Sequence, residues 1–185
     1  YLDCHGILKG YCGLCRKKHM FGYCNKCYPV CLGVVKECGI PDDHILPLKN
    51  FKAPKFPKFD TIQEAIDYDF EGYNFGVGPV SCIMTITRDY AFDMKKHLKD
   101  LHGFFETEYI VLRNIQELDK EYSFDVIHTF NGRMPFVYPV ISYCRKEEKP
   151  FVCYTAGANK NKMTTLYNSV THDFDVRKEK FVGCW

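Results

Sequence analysis

Asp125-Val126-Ile127-His128-Thr129-Phe130-Asn131-Gly132-Arg133 and Phe151-Val152-Cys153-Tyr154-Thr155-Ala156-Gly157 are the two stretches that decide the fold. Each contains a short apolar run, rich in β-branched residues, that suits a buried strand. Each run ends at a glycine turn. Between them, residues 134–146 carry Phe136, Val140, Ile141 and Cys144 at helical spacing and finish on a basic end. Pro135 and Pro139 blur the first turns of that helix. Strand, glycine turn, helix, strand is a βαβ unit, which predicts an α/β fold with a parallel sheet. Ligands of such sheets bind outside the carboxyl ends of the strands, which here are residues 128–133 and 154–161.

Upstream, Thr61-Ile62-Gln63-Glu64 is a capping box followed by Ala65 and Ile66, predicting a short helix over 61–68. Three glycines, Gly72, Gly76 and Gly78, call for a tight loop or a close backbone approach. Residues 80–101 read as a helix with Ile83, Ile86 and Tyr90 near one face. A second helix is expected over 103–120, with His102-Gly103 as the break. Residues 39–59 hold Pro41, Pro47, Pro54 and Pro57 and show no usable period; they read as an extended connector crossing a surface. The organisation expected is a Cys-rich segment over 1–38, this connector, and an α/β domain over 60–185.

Seven of the eleven cysteines lie in the first 38 residues. Cys12 and Cys15, then Cys24 and Cys27, form two Cys-x-x-Cys knuckles that can offer four thiolates to one tetrahedral ion. Zinc is the natural choice for four thiolates, in a closed structural site. Free thiols or disulfides are the alternatives, His5 or His19 could replace one cysteine, and Cys31 and Cys38 suit a different pairing. Cys82, Cys144, Cys153 and Cys184 are scattered singly, as ordinary thiols of a reducing cytoplasm would be.

The 185 residues are 46% hydrophobic and 16% aromatic, enough for a sizeable core. The net charge of +2 is too small to argue for nucleic acid, and Arg16-Lys17-Lys18-His19 reads as a solvated basic loop. No run approaches the roughly 20 apolar residues of a membrane span, and no signal peptide is visible. Because the chain starts at Tyr1, Tyr1-Leu2 reads as the stub of a first strand.

Three elements carry candidate chemistry. Asn131, Gly132 and Arg133 put an amide and a guanidinium at the ligand end of the sheet, where arginine can pair with phosphate or carboxylate; a plain turn with a solvated arginine is the alternative. Gly157, Asn159 and Lys160 lie in a loop whose N–H groups and lysines could hold an anion, or form an ordinary polar turn. His172 precedes Asp173, an arrangement that suits a general base, although Asp173 also suits the N-cap of a helix over 174–185.

These segments together resemble the glycosyltransferases of bacterial capsule and O-antigen synthesis. Phe70-Glu71-Gly72-Tyr73-Asn74-Phe75-Gly76, then Val80-Ser81-Cys82 and Thr87-Arg88-Asp89, is similar to the stretch around that family's first long helix. Phe130-Asn131-Gly132-Arg133 is similar to its Asn-Gly-Arg signature. Cys4-His5-Gly6 resembles its opening Cys-acid-Gly, and the stretch from Phe151 to Asp173 resembles its next strand and His-Asp element. Thr155 and Ala156 depart from the pattern, standing where the family has Glu and Arg. The resemblance implies the Rossmann-like N-terminal half of a GT-B enzyme, with the zinc-ribbon-like cysteines as an insertion. It implies a nucleotide-sugar donor bound mainly by a C-terminal domain beyond this chain, a glycan acceptor, and metal-independent chemistry with any zinc structural. His172 would be catalytic; Asn131, Gly132, Arg133, Gly157, Asn159 and Lys160 would bind substrate. The expected location is the cytoplasm, or the periphery of the inner membrane. The rival expectation is a zinc-ribbon module that binds nucleic acid or protein, fused to an α/β domain; a non-catalytic transferase domain is a third.

Overall fold

The computed structural model describes residues 2–4, 7–8, 24–157, 159, 161–173 and 178. Along the chain it places β1 (Leu2–Asp3), α1 (Cys24–Glu37), β2 (Leu46–Pro47), α2 (Ile62–Ile66), β3 (Asp69–Phe70), β4 (Tyr73–Asn74), α3 (Val77–Thr87), α4 (Met94–Tyr122), β5 (Ile127–Phe130), α5 (Tyr138–Lys146), β6 (Phe151–Ala156) and β7 (Met163–Tyr167). The architecture is mixed α/β. β1 pairs with β2 in parallel, β3 and β4 form an antiparallel hairpin, and the third sheet has the order β5-β6-β7.

The βαβ unit stands as the sequence reads. β5 and β6 are parallel, in register from Ile127 opposite Phe151 to Phe130 opposite Tyr154, with α5 as the crossover. The sheet is not all-parallel, however, because β7 runs antiparallel to β6. The loop between them spans only residues 157–162, and Gly157 N–H donates to the Lys162 carbonyl at 2.7 Å. A loop that short closes a hairpin and cannot carry a parallel crossover.

The helices differ from expectation at two places. The break foreseen at His102-Gly103 lies inside the continuous helix α4, and the real break falls between Arg88 and Asp93. Arg88 ends α3 in the left-handed region at φ 58°, and Asp93 caps α4 by accepting from the Lys95 and Lys96 N–H groups. A mid-helix glycine costs about 1 kcal/mol. Neighbouring Leu101, Phe104 and Phe105 are fully buried, and each contributes roughly 1.5–3 kcal/mol by leaving water, so packing overrides the weak residue. The second difference is α1. The Cys24–Cys27 knuckle, expected as a turn, forms the first turn of this helix despite Pro29 within it. Cys12, Cys15, His5 and His19 lie outside the described residues.

Phe105 is the centre of the core, with the rings of Phe56, Phe59, Tyr68 and Phe75 at centroid distances of 5.3, 5.6, 5.4 and 6.0 Å. Phe56 and Leu48 belong to the segment expected to cross a surface. That segment is extended, as foreseen, but these side chains are buried. It is fastened to α4 by a reciprocal pair: Lys49 N–H donates to Asn114 Oδ1 at 2.7 Å, and Asn114 Nδ2 donates to the Lys49 carbonyl at 2.9 Å.

Two buried acids of α4 behave in opposite ways. Asp119 accepts hydrogen bonds from Tyr143 Oη (2.6 Å), Lys149 Nζ (2.8 Å) and Phe124 N–H (2.9 Å). Burial alone would raise its pKa, but these three donors together hold it below the ordinary aspartate value. Glu108 is fully enclosed, and neither carboxyl oxygen has a hydrogen-bond partner. It lies against the first turns of α3 and α5: a Cβ at Gly78 would collide with Glu108 Oε1. Burial pushes its pKa well above the usual carboxylate range.

Replacing Glu108 with Met should stabilise the protein at pH 7 by about 1–3 kcal/mol, the cost of an unsatisfied buried polar group. A raised acid pKa makes the native state bind the proton more tightly, so the penalty grows as pH rises above about 4.3. Urea unfolding should therefore show a gain that shrinks toward pH 4; an equal or negative effect at pH 7 would contradict the assignment. Asp119 has the opposite sign. Its contribution is present above about pH 4 and fades as pH falls through the lowered native value. Asp119→Ala should cost roughly 3 kcal/mol at pH 7, and the difference from wild type should narrow in acid.

Candidate functional site

The carboxyl end of β5 makes a tight turn. Asn131 and Gly132 both have positive φ, 66° and 74°. Gly132 N–H donates to the Phe130 carbonyl at 2.8 Å, which closes a γ-type turn, and Asn131 N–H donates to the Tyr154 carbonyl of β6 at 2.8 Å. A positive φ at a non-glycine residue is uncommon; Asn tolerates it better than most residues, and such backbone tends to occur at functional positions. Glycine is needed next. A Cβ at residue 132 would stand 2.9 Å from Val170 Cγ1 and 3.4 Å from both Cys153 Sγ and Ile141 Cγ1. Those three side chains are the floor of the site.

The return from β7 brings the other wall. The Thr171 hydroxyl donates to the Asn131 carbonyl at 3.3 Å, and His172 Nε2 lies 3.4 Å from Asn131 Oδ1. The Asn131 carbonyl and amide are therefore both engaged by consecutive residues 40 and 41 positions downstream. His172 is exposed and Thr171 is buried. Ser169 Oγ approaches Asp173 Oδ2 at 3.5 Å. The helix expected after Asp173 falls mostly outside the described residues. Beneath the turn, burial raises the pKa of the Cys153 thiol, and a backbone hydrogen bond with Thr171 offsets part of that rise.

Arg133 is half-buried, and its Nε is enclosed without a hydrogen-bond partner. A separate apolar cleft of about 460 Å³ is lined by Val126, Ile127, His128 and Thr129 of the β5 segment and by Val111 and Ile115 of α4. Cys4 and Leu8, following β1, line the same cleft. The cleft thus runs along β5 beside β1, and Asn131, Gly132 and Arg133 do not line it.

Of the expected substrate-binding residues, Asn131, Gly132 and Arg133 share one turn, and His172 meets them. Gly157 and Asn159 do not join the cluster. Their hydrogen bonds stay in the β6–β7 hairpin: Gly157 N–H goes to Lys162, Asn161 N–H goes to Asn159 Oδ1 at 3.2 Å, and Lys162 N–H goes to the Asn159 carbonyl at 3.1 Å. The N–H groups of Gly157, Asn161 and Lys162 are thus engaged within the loop itself. Lys160 lies outside the described residues. Thr155 and Ala156 pair with Thr164 and Met163 of β7. Sequence reading missed Thr171 as a partner of Asn131; its adjacency to His172 was the available signal.

Cys27 is the described member of the expected metal set whose side chain is placed, and its thiol lies 3.9 Å from that of Cys31. Among the described residues no group of three or more metal-ligating side chains comes together. No described helix is long and apolar enough to cross a membrane. No protein-family model, curated protein or solved structure matches the chain.

Gly132→Ala should cost about 1–3 kcal/mol, because it combines a disfavoured φ with crowding against Val170. The expected local signature is loss of amide exchange protection at Asn131 and Thr171. Unchanged melting and unchanged protection at those two residues would show that the turn tolerates a side chain.

Proposed function

We propose that the chain is the acceptor-side domain of a nucleotide-sugar-dependent glycosyltransferase of surface polysaccharide synthesis, built as the Rossmann-like N-terminal half of a GT-B fold. The ordered motifs from Phe70 to Asp173 support this reading, as does the parallel β5-α5-β6 unit with its turn at the ligand end. The observation that carries it is the buried, unpaired Nε of Arg133 beside the Asn131 turn. An arginine donor shut away from water without an acceptor is costly, and an anionic ligand supplies that acceptor bidentately.

Residue roles follow from this. Arg133 pairs with a phosphate or carboxylate of the substrate, and Asn131 offers its amide to a sugar hydroxyl. When His172 Nε2–H donates to Asn131 Oδ1, the ring presents Nδ1 as the basic nitrogen, able to take the proton from an acceptor hydroxyl. The donor nucleotide-sugar is held mainly by a second domain. Thr155 and Ala156 bring no charge to the end of β6, so substrate anions depend on Arg133.

Isothermal titration with glucose 1-phosphate tests this reading. Wild-type protein should bind, and Arg133→Ala should weaken binding by about 1.5–3 kcal/mol, the worth of a hydrogen bond to a charged group. An unchanged Kd in that variant removes Arg133 from the site. Salt-dependent affinity for DNA or RNA, with no response to sugar phosphates, would replace the transferase reading with nucleic-acid binding.

A further inference from the structure

Strand β7 is a sheet edge without the usual protection. Its residues, Met163-Thr164-Thr165-Leu166-Tyr167, include no charged residue, proline or glycine. Its register with β6 runs unbroken from Ala156 opposite Met163 to Val152 opposite Tyr167, so no bulge turns it aside. Natural sheets guard an open edge with these devices, because a bare row of N–H and C=O groups is a template for another strand. Among the described residues, β6 is the one strand paired with β7. Met163 and Tyr167 are 61% and 72% exposed. The chain leaving β7 passes to the far side of β6, where Thr171 meets Asn131 of β5.

The register fixes which backbone groups the edge offers. Gly157 N–H donates to the Lys162 carbonyl at 2.7 Å, and Asn168 N–H donates to the Phe151 carbonyl at 2.9 Å. Bonded and non-bonded pairs alternate along an antiparallel ladder. Between those two ends, the bonded pairs are Thr155 with Thr164 and Cys153 with Leu166. Thr164 and Leu166 therefore turn their N–H and C=O groups toward β6. Met163, Thr165 and Tyr167 turn theirs outward, and their side chains share the solvent face of the sheet while Leu166 is buried.

We propose that two copies of this chain join through β7, antiparallel about a two-fold axis at Thr165. The two sheets become one, of order β5-β6-β7-β7-β6-β5. An axis at that residue sets Thr165 opposite Thr165 of the second copy, and Met163 opposite its Tyr167. All three outward residues then find each other, and each pair exchanges two hydrogen bonds. The side chains agree with the backbone. A threonine pair across strands is favourable, and the exposed Met163 and Tyr167 make a thioether–aromatic contact. Beyond them, Lys162 stands opposite Asn168, so the two lysines do not oppose each other. An uncharged strand that complements itself in groups, side chains and flanks fits a second copy, and the two-fold closes the assembly at a dimer. One strand pair is a small interface, which suits a transient dimer with a Kd of roughly 1–100 μM. The proposal is independent of the sugar-binding reading, since β6 separates this edge from β5.

The test is sedimentation equilibrium of the whole reduced chain. Wild-type protein should pass from monomer to dimer as concentration rises through that range. Thr165→Pro removes an outward N–H that β6 does not use. It should keep the wild-type melting temperature yet weaken the dimer on the order of 30-fold, the worth of two hydrogen bonds lost by symmetry. Should that variant fail to fold, cross-linking decides. The two copies of residue 165 stand about 5.5 Å apart at Cα, within disulfide reach. Mild oxidation of Thr165→Cys should yield that peptide joined to its own copy, whereas Thr164→Cys, facing the other side of the sheet, should not. Wild-type protein that stays monomeric at about 1 mM, well above the expected Kd, overturns the proposal. So does a dimer that Thr165→Pro leaves intact, or one whose Thr165→Cys variant gives no self-joined peptide, because either places the contact on another surface.

Discussion

The buried carboxylate of Asp119 fixes the half of the molecule that carries the site. It stands near the end of α4 and gathers a donor from each segment that must meet there. Phe124 N–H comes from the link leading to β5, Tyr143 Oη from α5, and Lys149 Nζ from the turn that leads into β6. Charge-assisted hydrogen bonds of this kind are shorter and about twice as strong as neutral ones. Because the three donors belong to consecutive elements, their geometry sets the start of β5 relative to the start of β6. The register of Ile127 opposite Phe151 follows, and the strand ends are aligned before any site residue acts.

That alignment lets the far end of the sheet hold an unfavourable backbone. The left-handed Asn131 is retained by its N–H bond to Tyr154, which exists only if β5 and β6 are in register. The Thr171 hydroxyl adds a second restraint from the chain returning out of β7. β7 therefore matters to the site: the antiparallel return delivers Thr171 and His172 to Asn131. A parallel crossover from β6 would carry the chain away from this turn. The departure from an all-parallel sheet and the meeting of His172 with Asn131 share one cause, the short loop after Gly157.

What the sequence made legible follows the strength of the local signals. The apolar runs of β5 and β6, the Asn-Gly turn and the capping box at Thr61 are each decided by a few neighbouring residues, and each was readable. β7 was not, because Met163-Thr164-Thr165-Leu166-Tyr167 has one buried residue, Leu166, and its pairing is set by β6. The break between α3 and α4 was misplaced because Gly103 is a visible local weakness, while the burial of Leu101, Phe104 and Phe105 that overrides it is tertiary. α1 was hidden by Pro29 and by the habit of reading Cys-x-x-Cys as a turn. In the site, Asn131, Gly132 and Arg133 were legible as one peptide. The hydrogen bonds that Gly157 and Asn159 make within the β6–β7 loop were not, since both sit in a polar loop after a strand and only the hairpin closure shows where those bonds go.

Among the described residues, the buried side-chain polar atoms left without a partner belong to Glu108 and Arg133, and the physical chemistry of the two groups separates their meanings. A carboxyl can escape the cost of burial by keeping its proton, and the raised pKa of Glu108 is that escape. Its defect is internal and is relieved without any second molecule. A guanidinium has no such escape, because it stays charged in proteins. An enclosed Nε–H on Arg133 can be relieved only by an acceptor. Its neighbours Met134 and Pro135 bring no side-chain oxygen, and Asn131 directs its own oxygen toward His172. On the proposed function, an anion that takes Nε together with the outer edge of the guanidinium supplies that acceptor. On that reading the ligand end of β5, rather than the more deeply buried acid on α4, is the place where a partner relieves an internal cost.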